Sequence, residues 1–282
     1  MMQYVVNVSS GLASIEALER TIDQKGKENT TGIFADVKGN NDHEHTGEDA
    51  DNYRFLADVA RYFDIEIVHV MDGRDIWQVF FDARAMTLPV GRGRVARCSI
   101  ELKRAPIDGW IAARYAPSEC VQVTGLGWTE PHRIASFEAA KAPYECWFPL
   151  AEPPYMDNCH LAAKWEARGI QPPKLYLDGF SHANCGGFCV KAGKAHFARL
   201  YATNKPRYLY HAEQEQAFRA TINPNVAILR DQRNGETKPM TLYEFAERLE
   251  RGESYDADDW GGCGCFAPIQ QTRMDDLLLE AV

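Results

Sequence analysis

The chain opens with QYVVNV, turns at Ser9, Ser10 and Gly11, and resumes as LASIEALERTIDQK, in which Leu12, Ile15, Leu18 and Ile22 recur at helical spacing. A short β-branched run, a glycine turn and an amphipathic helix form the opening of a strand-helix-strand unit. The alternation continues: TGIFADV reads as a second buried strand ending in Asp36, and EDADNYRFLADVARYF places Tyr53, Leu56, Val59, Ala60 and Phe63 on one helical face. IEIVHVM and CVQVTGLGW read as third and fourth strands. Strands separated by helices pair in parallel, so the expected class is α/β: a mostly parallel sheet with helices on both faces. Such sheets bind ligands beyond the carboxyl ends of their strands. Polar clusters fall there, at residues 9–11, 36–46 and 125–133.

From Pro149 the texture changes to proline-bounded segments and helices. AHFARLYATN and RYLYHAEQEQAFRATI read as helical, and TLYEFAERLE as an amphipathic helix starting after Thr241. The expected division is a nucleotide-binding domain at 1–206 and a helical C-terminal extension at 207–282, folding a last glycine-cysteine turn, GGCGCF, back onto the main body. The DADD run at 256–259 reads as a solvated charge cluster.

With 31 Lys and Arg against 40 Asp and Glu, the net charge is -9, which argues against a broad nucleic-acid-coating or anionic-membrane surface. No basic segment precedes an apolar run at the N-terminus and no stretch of about 18 apolar residues occurs, so neither a signal peptide nor a membrane span is expected. The expected location is the cytoplasm. In that compartment, eight cysteines read as reduced, metal-bound or catalytic rather than as a disulfide framework. Cys120 and Cys146 lie in apolar company and read as inert buried thiols. Cys185 and Cys189, in NCGGFCVKAG, are set among glycines and followed by Lys191 and Lys194, which suits metal thiolates with balancing positive charge. Spacing and ligand type favour a 4Fe-4S cluster, with zinc as the runner-up and unligated thiols in tight turns as the bland alternative. Cys159 is a spare candidate, and His182 a further ligand or a donor to a sulfur. His43 and His45 read as part of a mobile acidic loop rather than a metal site.

Several of these segments together resemble the PAPS reductase family, in its phage and bacterial branch, within the adenine-nucleotide α-hydrolase (PP-loop) superfamily. The resemblance runs from about Tyr4 to Tyr201. VVNVSSGLAS stands at the family's phosphate loop, which implies anion contacts from Ser9, Ser10, Gly11 and Ser14. IFADVKGNNDHEHT is similar to the second-strand motif and brings Asp36, Gly39 and Thr46. RCSIELKRAP matches the family segment through Cys98, Lys103 and Pro106, VTGLGWTEPHRI through Glu130 and Arg133, and the cysteine clip is the most specific piece. The chain also departs from the pattern. Ala13 stands where ATP-hydrolysing members have aspartate, Gly127 where the reductases have arginine, and no E-C-G-L-H tail is present.

The resemblance implies an adenine nucleotide (PAPS, APS or ATP, with Mg2+ as an optional companion) and an iron-sulfur cluster on Cys98, Cys185, Cys189 and Cys263. Lys103 and Arg133 would hold phosphate and sulfate, and Cys265 would be the nucleophile; the resemblance leaves the roles of Cys263 and Cys265 interchangeable. Sulfonucleotide reduction, with a thiol reductant as partner, is the expected function. Two alternatives stay open: a nucleotide-dependent sulfur transferase acting on tRNA, DNA or a nucleotide with a sulfur-donor protein, and a non-catalytic nucleotide-binding or partner-binding module. Neither a membrane partner nor a particular oligomeric state is implied.

Overall fold

The computed structural model describes residues 1–90 and 93–262. Its elements in chain order are β1 (Gln3–Val8), α1 (Leu12–Lys25), β2 (Thr30–Asp36), α2 (Ala50–Phe63), β3 (Ile67–Met71) and α3 (Ile76–Asp82). A hairpin of β4 (Thr87–Val90) and β5 (Gly93–Ala96) follows, then a π-helical turn at Ser99–Arg104 that runs into α4 (Ala105–Ala112). Next come β6 (Cys120–Thr124), α5 (Pro131–Lys141), β7 (Glu145–Trp147), α6 (Asn158–Ala167) and the short α7 (Lys174–Leu177). The C-terminal part holds α8 (Lys194–Thr203), α9 (Lys205–Thr221), a second hairpin of β8 (Leu229–Asp231) and β9 (Lys238–Met240), and α10 (Leu242–Glu250).

The chain is α/β, as its alternation requires. Five strands form one sheet in the order β3-β2-β1-β6-β7, and every pairing within it is parallel. Period-two alternation splits the central strand between two cores. Val6 and Val8 face α1, α2 and α6, packing with Leu12, Ile15, Phe55, Val59 and Trp165, while Val5 joins Ile33, Ile107 and Ile111 on the α4 side. From β1 the chain steps to β2 on one side, and β6 takes the other. The strand order therefore reverses between β1 and β6, which opens a crevice at their carboxyl ends.

Charged residues clamp one wall of that crevice. On α1, Glu16 pairs with Arg20 (2.8 Å) and with Lys164 of α6 (2.5 Å), and Glu19 pairs with Arg168 (2.6 Å). The buried Arg20 guanidinium also donates to the carbonyls of Pro149 (2.8 Å), Glu152 (3.0 Å) and Pro154 (2.5 Å), fixing the proline-rich segment after β7. On the C-terminal side, Trp77 and Phe80 of α3 share one apolar cluster with Phe188, Phe197, Tyr208, Phe218 and Phe245. The expected division near residue 206 falls inside α9, and both sides of it feed that cluster. The predicted helix after Thr241 forms with a full capping box between Thr241 and Glu244. Among the described residues, no helix is long and apolar enough to cross a membrane.

Candidate functional site

The first turn after β1 is built by serines. Ser14 Oγ accepts the Ser9 N–H (3.0 Å) and donates to the Gly11 carbonyl (2.8 Å), so the loop closes on itself at the amino end of α1. The Leu12 N–H, one of the helix's unsatisfied first donors, donates to the Tyr176 hydroxyl at 3.2 Å. Tyr176 was not legible as a site residue, because 164 residues of sequence separate it from its partner.

Beyond this loop lies a crevice of about 530 Å³, lined at its edges by Ser9, Gly11, Ser14, Lys103, Glu130 and Arg133, with Asn7, Thr124 and His182 among its other walls. Six residues singled out from the sequence thus meet in one place. Ser10, Asp36, Gly39 and Thr46 have other surroundings. Ser10 is buried with its hydroxyl on the Ser9 carbonyl (2.5 Å). Asp36 accepts from the Tyr53 hydroxyl (2.8 Å) and the Lys38 N–H (3.0 Å), Gly39 packs on the backbone of residues 74–75, and Thr46 donates to the carbonyls of Lys38 and His43. These last three shape the loop between β2 and α2.

The crevice walls hold polar atoms that the protein leaves unsatisfied. Asn7 is 6 % exposed; its Nδ2 donates to the Val123 carbonyl, while its Oδ1 is buried without a partner. Asn184 Oδ1 and Arg133 Nε are in the same condition, although Arg133 also contacts the Glu130 carboxylate through Nη1. Buried polar groups are almost always paired. Asn7 Oδ1 and Asn184 Oδ1 are acceptors and Arg133 Nε a donor, all three belonging to residues that line the crevice. His182, in the same wall, is pushed down to about 3 by burial, by the neighbouring His196 and by Lys103. It is neutral at physiological pH. Its Nδ1 accepts the Asn184 N–H (3.3 Å), which leaves Nε2–H as its donor.

Behind the crevice is a small apolar hollow. Cys98 enters it from the end of β5, with Ser99 and Lys103 of the π-helical turn; Cys185, Phe188, Cys189, Val190 and Lys191 enter from the clip. Three of the four predicted cluster ligands line this one space. The clip reaches it by a left-handed turn, in which Cys185, Gly186 and Gly187 have φ of 53°, 59° and 82°. Such a conformation costs a non-glycine residue about 1–2 kcal/mol, so the Cys185 backbone is held by its surroundings. Arg207 of α9, 3 % exposed, supplies part of that hold by donating to the Cys185 carbonyl (3.4 Å) and to the carbonyls of Gly47 (3.3 Å) and Glu44 (3.2 Å).

Residues 259–262 lie across the chain that leaves the clip. The Gly262 N–H donates to the Lys191 carbonyl (2.9 Å), the Gly193 N–H to the Trp260 carbonyl (3.1 Å) and the Ala195 N–H to the Asp259 carbonyl (2.9 Å). A Cβ at Gly261 would fall 2.2 Å from the Gly193 nitrogen, so this backbone-on-backbone seat admits only glycine. The C-terminal segment does fold back onto the clip up to Gly262. Cys263 and Cys265 lie outside the described residues. Among the described residues, no three His, Cys, Asp or Glu side chains form the ligand set of a single metal ion.

The remaining cysteines separate by environment. Cys120 and Cys146, on adjacent strands, are both pushed up to about 11, mainly by burial, whereas Cys159 is exposed at the start of α6. Only the thiolate reacts. At pH 8 iodoacetamide is expected to modify Cys159 first, with Cys120 and Cys146 at least about tenfold slower, as read by peptide mass spectrometry. Comparable rates for all three would mean that the β6–β7 edge opens in solution.

A scan against protein-family models finds no match for this chain, and a search of curated proteins finds none.

Proposed function

We propose that this protein is an iron-sulfur enzyme of sulfur chemistry that binds an adenine sulfonucleotide in the crevice and reduces its sulfate to sulfite, as its resemblance to the PAPS reductases implies. One observation carries the reading. Lys103 stands in the wall of both cavities, with a serine loop and Arg133 on the crevice side and Cys98, Cys185 and Cys189 on the other. A donor set of soft thiolates, balanced by Lys103 and Lys191 and surrounded by Val37, Ile76 and Phe188, fits a 4Fe-4S cluster. Cys98, Cys185 and Cys189 would hold it, with Cys263, which directly follows Gly262, as the fourth ligand. When bound, the cluster supplies an anionic, polarisable centre beside Lys103.

The protein's own groups bind and orient the ligand. Lys103 and Arg133 meet phosphate and sulfate oxygens, and the unsatisfied Arg133 Nε–H gains an acceptor. Positive charge fixed there favours the charge that develops as the anhydride breaks. The Cys265 thiolate attacks the sulfate sulfur. The bond from sulfur to the bridging oxygen breaks, and AMP, or its 3′-phosphate, leaves with the electron pair. A thiolate of a dithiol reductant then attacks the cysteine sulfur of the S-sulfocysteine; sulfite leaves with the S–S electron pair, and a disulfide forms that is resolved by the reductant's second thiol. Ala13 places no carboxylate in the phosphate loop, which favours a sulfonucleotide over activation by ATP.

The test is sulfite release from APS and from PAPS by anaerobically purified protein with a dithiol reductant. Arg133→Met is expected to lower the rate about a hundredfold. Release of AMP and pyrophosphate from ATP, without sulfite, would replace this reading with the sulfur transferase, and nucleotide binding without turnover would leave a binding module.

A further inference from the structure

Lys103 is shared by the crevice and the hollow, yet a lysine head on a four-carbon stem has no fixed place of its own. One residue that meets it is Glu48, in the loop before α2, which is 3 % exposed. Glu48 Oε1 lies 3.4 Å from Lys103 Nζ. Its other oxygen accepts from Asn52 Nδ2 at 3.3 Å, and the same Nδ2 donates to the carbonyl of Ala183 at 2.5 Å, two residues before Cys185. A run of buried polar contacts therefore ties the base of the clip, through Asn52 and Glu48, to the lysine between the cavities. Glu48 is not in the lining of either cavity, so it acts on a ligand through its partners, of which Lys103 stands in both walls.

We propose that Glu48 is the positioning residue for Lys103, fixing the ammonium where it meets anionic oxygens of the ligand from one side and thiolate charge from the other. For its functional consequence the proposal rests on the sulfonucleotide reading of the crevice. The geometric claim can be measured without any ligand.

Two readouts test it on the full-length, anaerobically purified chain: the rate at which an amine-acylating reagent modifies Lys103, followed by mass spectrometry, and the affinity for APS by calorimetry. Glu48→Ala is expected to speed Lys103 acylation about tenfold and to weaken APS about tenfold, the scale of one charge-assisted contact. Glu48→Gln keeps an acceptor oxygen and is expected to stay within about threefold of the wild type in both. In a Lys103→Met background, Glu48→Ala is expected to change APS affinity no further. Where Glu48→Ala fails to fold, Asn52→Ala, which leaves the Lys103 contact in place but frees Glu48 Oε2 and the Ala183 carbonyl, carries the same readouts in the same direction. Lys103 acylated at the wild-type rate in Glu48→Ala or Asn52→Ala, or an equal loss of affinity with and without Lys103, would overturn the proposal. A wild type that binds no APS would sink the nucleotide reading instead, and the acylation rates would still decide the role of Glu48.

Discussion

Protein purified without oxygen is expected to carry about four iron atoms and four acid-labile sulfides per chain, and Cys185→Ala to lose nearly all of both. The argument is one of placement. Cys98 and Cys185 are 87 positions apart by their numbers, and they enter one apolar hollow by two unusual backbone devices: a π-helical turn that starts just after Cys98, and a left-handed turn that contains Cys185. Local conformations of this kind cost energy and persist where the surroundings over-determine them. Apolar neighbours alone would raise the cost of thiolates, and Lys103 and Lys191 offset it. Cys98→Ala is expected to match Cys185→Ala, whereas Cys146→Ala, at the far edge strand, should retain the full complement. Iron, sulfide and zinc analysis with the visible spectrum decides the outcome. One zinc and no sulfide would make the site structural and remove the main support for sulfur chemistry.

How much of this was legible in the sequence follows from which interactions are local. β1, α1, β2, α2 and β3 announce themselves because apolar period and turn residues are written within a dozen positions, and the helix after Thr241 carries its own capping box. β7 hides because three residues, Glu145–Trp147, are too few to show a period. The π-helical turn at Ser99–Arg104 hides because its spacing looks like an ordinary helix start. Ser9, Ser14, Lys103 and Arg133, singled out from the sequence, line one crevice. Tyr176, Glu48 and Arg207 act across 164, 55 and up to 163 positions, and nothing near them in the sequence marks the partner. Asp36 and Thr46 show the converse. Their segment stands out in the sequence, but Asp36 accepts from Tyr53 of α2 and Thr46 donates within its own loop, and neither lines the crevice.

Gly186→Ala is expected to have a large effect on the fold. Gly186 sits at φ +59°, and a Cβ there would lie 1.3 Å from Nη1 of Arg207. The strain of a left-handed alanine accounts for about 1 kcal/mol. Displacing Arg207 costs more: its guanidinium is buried, and it holds three carbonyls, those of Glu44, Gly47 and Cys185, that would lose a charged donor together. Uncoupling a buried, hydrogen-bonded charge costs about 3–5 kcal/mol. The sum, about 4–6 kcal/mol, corresponds to a drop in Tm of roughly 10 °C or more for a chain of this size, and the same shift pulls Cys185 out of register with Cys98. Arg207→Met separates the two contributions. If the clash with the guanidinium dominates, Gly186→Ala made on top of Arg207→Met should cost only about the strain of the turn, about 1 kcal/mol, so the pair is strongly non-additive. Additive costs would place the requirement for glycine in the backbone alone, and Arg207 would then be a support for the loop at Glu44 and Gly47 rather than for the cysteine clip.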